Sequence, residues 1–95
     1  MPFVQQIPRQ FNRANIEAIN PNLVGVYGIF REGQWIYVGK GELRARLLAH
    51  LNGDNPLITR MGPTHYVDEI LTADPSLREK QLILELNPPC NQKVG

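Results

Sequence analysis

Gly25-Val26-Tyr27-Gly28-Ile29-Phe30-Arg31-Glu32-Gly33-Gln34-Trp35-Ile36-Tyr37-Val38-Gly39-Lys40-Gly41 is two apolar runs with a polar break between them. The runs are rich in β-branched and aromatic residues, which fit a pleated surface, and Gly33 can take the positive φ of a tight turn. The stretch predicts a hairpin, with strands from Leu23 to Phe30 and from Trp35 to Gly39 around the turn Arg31-Glu32-Gly33-Gln34. Alternation places Trp35, Tyr37 and Gly39 on one face, Ile36 and Val38 on the other, and Tyr27 with Gly25 and Ile29. Gly25 and Gly28 inside a strand signal close approach of another backbone or a ligand. The phenols of Tyr27 and Tyr37 need partners or a task, because an unpaired buried polar group costs about 1–3 kcal/mol.

Good helix formers follow from Glu42 to Leu51, with Leu43, Leu47 and Leu51 as the buried stripe and Arg46 and His50 one turn apart on its edge. Gly53 stops this helix, and Asn55-Pro56 caps a short one ending at Arg60 or Met61. After the Gly62-Pro63 break, Thr64 to Leu71 reads as a third strand. Asp74-Pro75 opens a last helix running to about Leu86, on a stripe of Leu82, Ile83 and Leu86. Glu79 heads that stripe, and an ionised carboxylate placed there calls for a cation. A divalent metal with oxygen ligands and retained waters answers the need; a capping box with Ser76 or a solvated Glu79 is the bland alternative. Asn87-Pro88-Pro89 closes the helix, leaving Cys90 and Asn91 in an extended tail. Towards the N-terminus, Phe11, Ala14, Ala18 and Ile19 suggest a helix over about residues 10–19, ended by Asn20-Pro21-Asn22, with residues 1–9 extended or loosely held.

A chain of 95 residues is expected to form one domain over residues 1–95, with its core at about 23–91. Net charge is +1, without the clear basic excess of a dedicated nucleic-acid binder. The charge is uneven, however. Arg9, Arg13, Arg31, Lys40, Arg44 and Arg46 outnumber the acids of the first half, while Asp54, Asp68, Glu69, Asp74, Glu79 and Glu85 fall later, so a locally positive face is compatible with the total. The single cysteine, Cys90, excludes an intramolecular disulfide and suits a reducing compartment. No apolar run approaches the roughly 20 residues that span a bilayer, and the first residues lack the pattern of a secretory signal; the expected location is cytoplasmic. A phosphate loop is excluded: five residues separate Gly33 from Gly39, and Gly41 stands where Ser or Thr is needed. One cysteine and two separated histidines do not make a zinc site, and Ser76, the only serine, has no histidine near it for a triad.

Gly25-Val26-Tyr27, Tyr37-Val38-Gly39, Arg46 with His50 one turn later, Glu79 before Leu82-Ile83, and Pro88-Pro89-Cys90-Asn91 form an ordered set. In that order the chain resembles the GIY-YIG nuclease family over residues 23–91, with valine in place of isoleucine in both name motifs. The resemblance implies an α+β fold, a three-stranded antiparallel sheet flanked by helices, and metal-dependent hydrolysis of a phosphodiester. It implies that Glu79 holds one Mg²⁺ or Mn²⁺, Tyr27 acts as general base aided by His50, Arg46 neutralises phosphoryl charge, and Tyr37 positions water or phosphate. Lys40 and Gly41 are the expected contacts to a neighbouring phosphate through the lysine and backbone amides near a helix N-terminus; Gly39 and Asn91 are structural support. The expected partner is nucleic acid, DNA ahead of RNA, with a targeting protein as a further partner and the oligomeric state open. Two other functions stay open: a non-catalytic nucleic-acid- or protein-binding module on the same fold, and a catalytic subunit that cuts only with a targeting partner.

Overall fold

The structure is a computed structural model and describes residues 3–91. Its centre is the predicted hairpin, β2 (Val24–Arg31) and β3 (Gln34–Glu42). Glu32 and Gly33 turn between them with φ of 45° and 80°. Positive φ at both central residues matches the right-handed twist of the paired strands. β4 (His65–Ile70) lies antiparallel on the other side of β2.

Among the described residues the sheet has four strands where three were expected, in the order β1-β4-β2-β3. The added β1 is only Arg9–Gln10, paired antiparallel with Tyr66 and His65. The predicted helix over 10–19 shortens accordingly to α1 (Arg13–Glu17), capped by Asn12, whose Oδ1 accepts from Asn15 N at 2.9 Å. Ile16 and Ile19 are its buried contacts, while Ala14 and Ala18 face out. Residues 3–9 are tied down rather than loose. Phe3 is buried and stacks on Trp35, and the Gln6 side chain both donates to Asp68 O and accepts from Asp68 N. The expectations for Met1 and Pro2 lie outside the described residues.

Two clusters cover the sheet. On one face α1, α2 (Leu43–Leu51) and α3 (Pro56–Arg60) pack Ile16, Leu43, Leu47 and Ile58 on Tyr27, Ile29, Ile36 and Tyr66. On the other, α4 (Ser76–Leu86) packs Leu82 on Val26, Val38 and Val67, with Phe3. In α2 the fully buried positions are Leu43, Leu47 and His50, with Leu51 only partly covered.

One expectation about facing fails. The register shifts between Ile29, opposite Tyr37, and Phe30, opposite Trp35, so Ile36 is an extra residue in β3. This β-bulge puts Ile36 in the cluster that Tyr37 borders and sends Trp35 to the opposite one, against Phe3 and Phe30. Gly28 is required by that packing, since a Cβ there would come within 2.6 Å of the Trp35 ring. At the C-terminal end, Pro89–Asn91 forms a 3-10 turn instead of an extended tail. Its Asn91 side chain accepts from Val38 N and donates to Val38 O, both at 2.7 Å, on β3 at the end of the sheet.

Candidate active site

The hairpin fixes both tyrosines on the face that α2 covers. Tyr27 is fully buried and Tyr37 half-buried, with ring centroids 6.3 Å apart. His50, buried on the inner face of α2, places Nε2 2.6 Å from Tyr27 Oη and its ring edge-on to Tyr37 at 5.0 Å. Burial pushes the Tyr27 phenol well above the ordinary tyrosine range; the neighbouring Tyr37 adds to this, and Arg46 opposes it. Burial likewise holds His50 below the ordinary histidine value.

Arg46 reaches this group because no loop intervenes between strand and helix: β3 runs to Glu42 and α2 begins at Leu43. Gly41, with φ at 129°, lets the aliphatic stem of Arg46 pass, its Cγ 3.2 Å from where a Cβ would sit. The head of Arg46 is exposed and close enough to Tyr27 to favour the ionised phenol. The predicted phosphate contact through Lys40 and Gly41 falls on the edge strand β3 and not at the open end of a helix. Both residues are in β3, paired with Val26 and Gly25, and the first turn of α2 is capped by Glu42, whose Oε2 accepts from Ala45 N at 3.2 Å. The Lys40 side chain donates to Ser76 Oγ.

Glu79 comes from α4, on the opposite face of the sheet from α2, so the residues gather around the β3 edge rather than on one face. Tyr37 is where the two sides meet electrically. Burial raises its phenol, Arg46 lowers it, and Glu79 and Asp54 raise it further. Ser76 forms no capping box with Glu79; it bonds Asp74 and Lys40. The Glu79 carboxylate is half-buried, accepts no hydrogen bond from the described residues, and is raised above the usual carboxylate range by burial, with Lys40 opposing. Among the described residues no group of three or more His, Cys, Asp or Glu is placed to hold a metal. That donor set suits Mg²⁺ or Mn²⁺, hard ions that bind through one or two carboxylates and keep waters for exchange with substrate phosphate, and does not suit zinc.

Asp54 was not singled out by the sequence. Its Oδ1 lies 2.8 Å from His50 Nδ1, so His50 bridges Asp54 and Tyr27. The signal was present in the i, i+4 spacing from His50, obscured by Gly53 between them.

A four-stranded antiparallel sheet with this hairpin, this helix order and tyrosines beside an Arg–His helix defines a fold also seen in solved nuclease domains. The GIY-YIG N-terminal endonuclease domain of UvrC from Thermotoga maritima, bound to its catalytic divalent cation magnesium, is similar at 27% identity and a TM-score of 0.73, over 84% of this chain and 94% of that one. A tyrosine-to-phenylalanine mutant of that domain, bound to its catalytic divalent cation, matches at 27% identity and 0.73 over 85% of this chain, and an asparagine-to-alanine mutant at 26% and 0.73. No protein-family model and no curated protein sequence matches the chain. The chain shares the fold of these GIY-YIG domains. No helix among the described residues is long and apolar enough to cross a membrane.

Proposed function

We propose that the chain is a metal-dependent endonuclease that hydrolyses phosphodiester bonds, with DNA as its substrate. The observation that carries this reading is Tyr37, whose phenol is influenced by both Arg46 and the Glu79 carboxylate, with Tyr27 and His50 hydrogen-bonded to each other beside it. Glu79 would hold one Mg²⁺ or Mn²⁺. When bound, such an ion supplies a Lewis acid for a phosphate oxygen and for the leaving 3′ oxygen. Arg46, a permanent cation at the exposed rim, neutralises charge on the phosphoryl group. Tyr37 orients water or phosphate through its hydroxyl, and the ammonium of Lys40 takes a neighbouring phosphate. Tyr27 receives the proton of the attacking water with His50 as the next acceptor, which a phenol of ordinary pKa near 10 needs. Gly39 and Asn91 keep Tyr27 and β3 in place. A reducing, cytoplasmic setting and a targeting protein that selects the DNA are compatible with this assignment.

The test is a panel of supercoiled, nicked, linear and branched DNA, with RNA, incubated with and without Mg²⁺ or Mn²⁺. Metal-stimulated cleavage of DNA should appear and be lost in Glu79→Ala and Arg46→Ala. Equal trace nicking by the wild type and Glu79→Ala sinks the assignment, and cleavage confined to RNA corrects the substrate. The complete burial of Tyr27 favours a second reading, a binding module in which that tyrosine is only core. Tyr27→Phe separates the two: the nuclease loses its rate, whereas the module keeps its affinity for nucleic acid.

A further inference from the structure

We infer that Asp54 is a positioning residue: it holds His50 in the tautomer whose Nε2 is free to accept the Tyr27 proton. This rests on the nuclease reading above for its consequence, but not for its geometry. The carboxylate of Asp54 lies at 2.8 Å from Nδ1, and an ionised carboxylate only accepts hydrogen bonds. In a neutral imidazole one nitrogen carries the proton and the other accepts. With Nδ1–H committed to Asp54, Nε2 is the acceptor, and the partner at 2.6 Å is the hydroxyl of Tyr27, which therefore donates. The opposite tautomer would leave Nδ1 and the Asp54 carboxylate facing each other as two acceptors.

The direction of proton movement follows. As the attacking water gives a proton to the Tyr27 oxygen, the phenol's own proton passes to Nε2, and the water oxygen forms its bond to phosphorus while the bond to the leaving 3′ oxygen breaks, that oxygen taking a proton from solvent to become a hydroxyl. Tyr27 ends neutral, His50 ends as an imidazolium facing Asp54, and that proton leaves later to bulk water. A free phenolate, which burial of Tyr27 opposes, is never required. Asp54 is partly solvated, its side chain 36% exposed against 2% for His50, so the carboxylate meets water while the imidazole is shielded. The charged and titratable groups facing His50 are Tyr27 from β2, Tyr37 from β3, Arg46 from its own helix, and Asp54. From the far side its neighbours are Phe11, Thr59 and the Gly62-Pro63 segment, none of which titrates near neutrality.

Two measurements on the full chain test this. The first is the ¹⁵N–¹H long-range NMR spectrum of the metal-free protein at about pH 7.5, above the ordinary histidine pKa of about 6.5. His65→Gln identifies which signals belong to His50. The wild type should show the Nδ1–H form, and Asp54→Asn, whose amide N–H can face Nδ1, should show the Nε2–H form. A wild-type His50 protonated at Nε2 overturns the assignment, whether or not the variant folds, and so does an Asp54→Asn protein that keeps Nδ1–H. The second is the pH profile of metal-dependent cleavage. Asp54→Asn should lower the rate by about tenfold to ten-thousandfold. It should also move the acid limb to lower pH, because the Asp54 charge favours protonated His50. An unchanged rate and acid limb count against it. If the wild type cleaves no nucleic acid, the nuclease reading fails and the tautomer alone decides the role of Asp54.

Discussion

Gly39 lies directly against the phenol of Tyr27: a Cβ at position 39 would overlap Tyr27 Oη and Cζ and would also press on the Tyr37 ring. The two motifs of the hairpin therefore depend on each other, since the glycine of Tyr37-Val38-Gly39 makes the space filled by the tyrosine of Gly25-Val26-Tyr27. Tyr27 and Gly39 are direct cross-strand partners, which keeps this contact in register. Gly39 does not have a positive φ, so the requirement is steric and not conformational.

Gly39→Ala accordingly tests packing alone. Overfilling a tight site costs about 1–3 kcal/mol, and the atoms in the way are a buried ring carbon and the oxygen that meets His50. The variant should unfold at lower urea concentration with the m-value unchanged, and it should lose cleavage by displacing the phenol. A midpoint equal to that of the wild type would mean that Tyr27 is not held where Gly39 allows it to be.

Asn91 and Gln6 perform the same task on opposite sides of the sheet, Asn91 on the edge strand β3 and Gln6 on the part of β4 that β1 leaves unpaired, each closing a strand's backbone with a side-chain amide. Asn91 serves Val38, which is fully buried, whereas Gln6 serves Asp68, which is half-buried. Loss of a partner costs most where water cannot replace it, about 1–3 kcal/mol for a buried backbone group. Asn91→Ala should therefore destabilise more than Gln6→Ala and should speed hydrogen exchange at the Val38 amide. Equal losses, or an unchanged Val38 exchange rate, would show that the Asn91 clasp is not what holds β3.

The elements marked by residue chemistry were legible in the sequence: the Gly33 turn, the Gly53 stop and the Asn55-Pro56 cap all stand where their conformational preferences put them. Four features were not. A two-residue β1 is too short for periodicity to register, and its pairing is decided by the exposed side of β4. The bulge at Ile36 carries no glycine or proline to mark it, yet it reverses the facing of Trp35. The sheet face from which Glu79 comes was not legible, because a helical stripe shows which residues are buried, not which face of the sheet buries them. Asp54 was hidden for another reason: its role exists only in relation to a buried His50, and His50 was expected at the edge of the apolar stripe rather than inside it.

His50 gives the fold a pH dependence whose sign is fixed by its burial. Its folded pKa is lowered, with burial the main cause and Asp54 opposing, so the unfolded chain binds the proton more readily. The stabilising contribution is then fully present above the unfolded value of about 6.5 and is lost as pH falls through the folded value. Urea unfolding of wild type and His50→Gln, both metal-free, should show a stability gap that narrows as the solution is acidified below that point. A gap that widens on acidification would require a protonated His50 in the native state, and with it a different direction for the Tyr27 bond.

Glu79 separates stability from function. Its carboxylate is partly desolvated and has no hydrogen-bond partner among the described residues, so in the metal-free fold burial outweighs the compensation that Lys40 gives its charge. Sites kept for ligands commonly reduce stability in this way. In metal-free buffer Glu79→Gln should melt at the same temperature as the wild type or higher, although the same change removes cleavage. A ligand that binds only the native state raises stability by about 2.7 kcal/mol when present at a hundred times its dissociation constant. Added Mg²⁺ or Mn²⁺ should therefore raise the melting temperature of the wild type and leave that of Glu79→Gln unmoved, as followed by a thermal scan with and without metal. If both proteins respond equally, the ion binds elsewhere and Glu79 is not its ligand. If Glu79→Gln is instead less stable without metal, the carboxylate is a structural partner rather than a site held open.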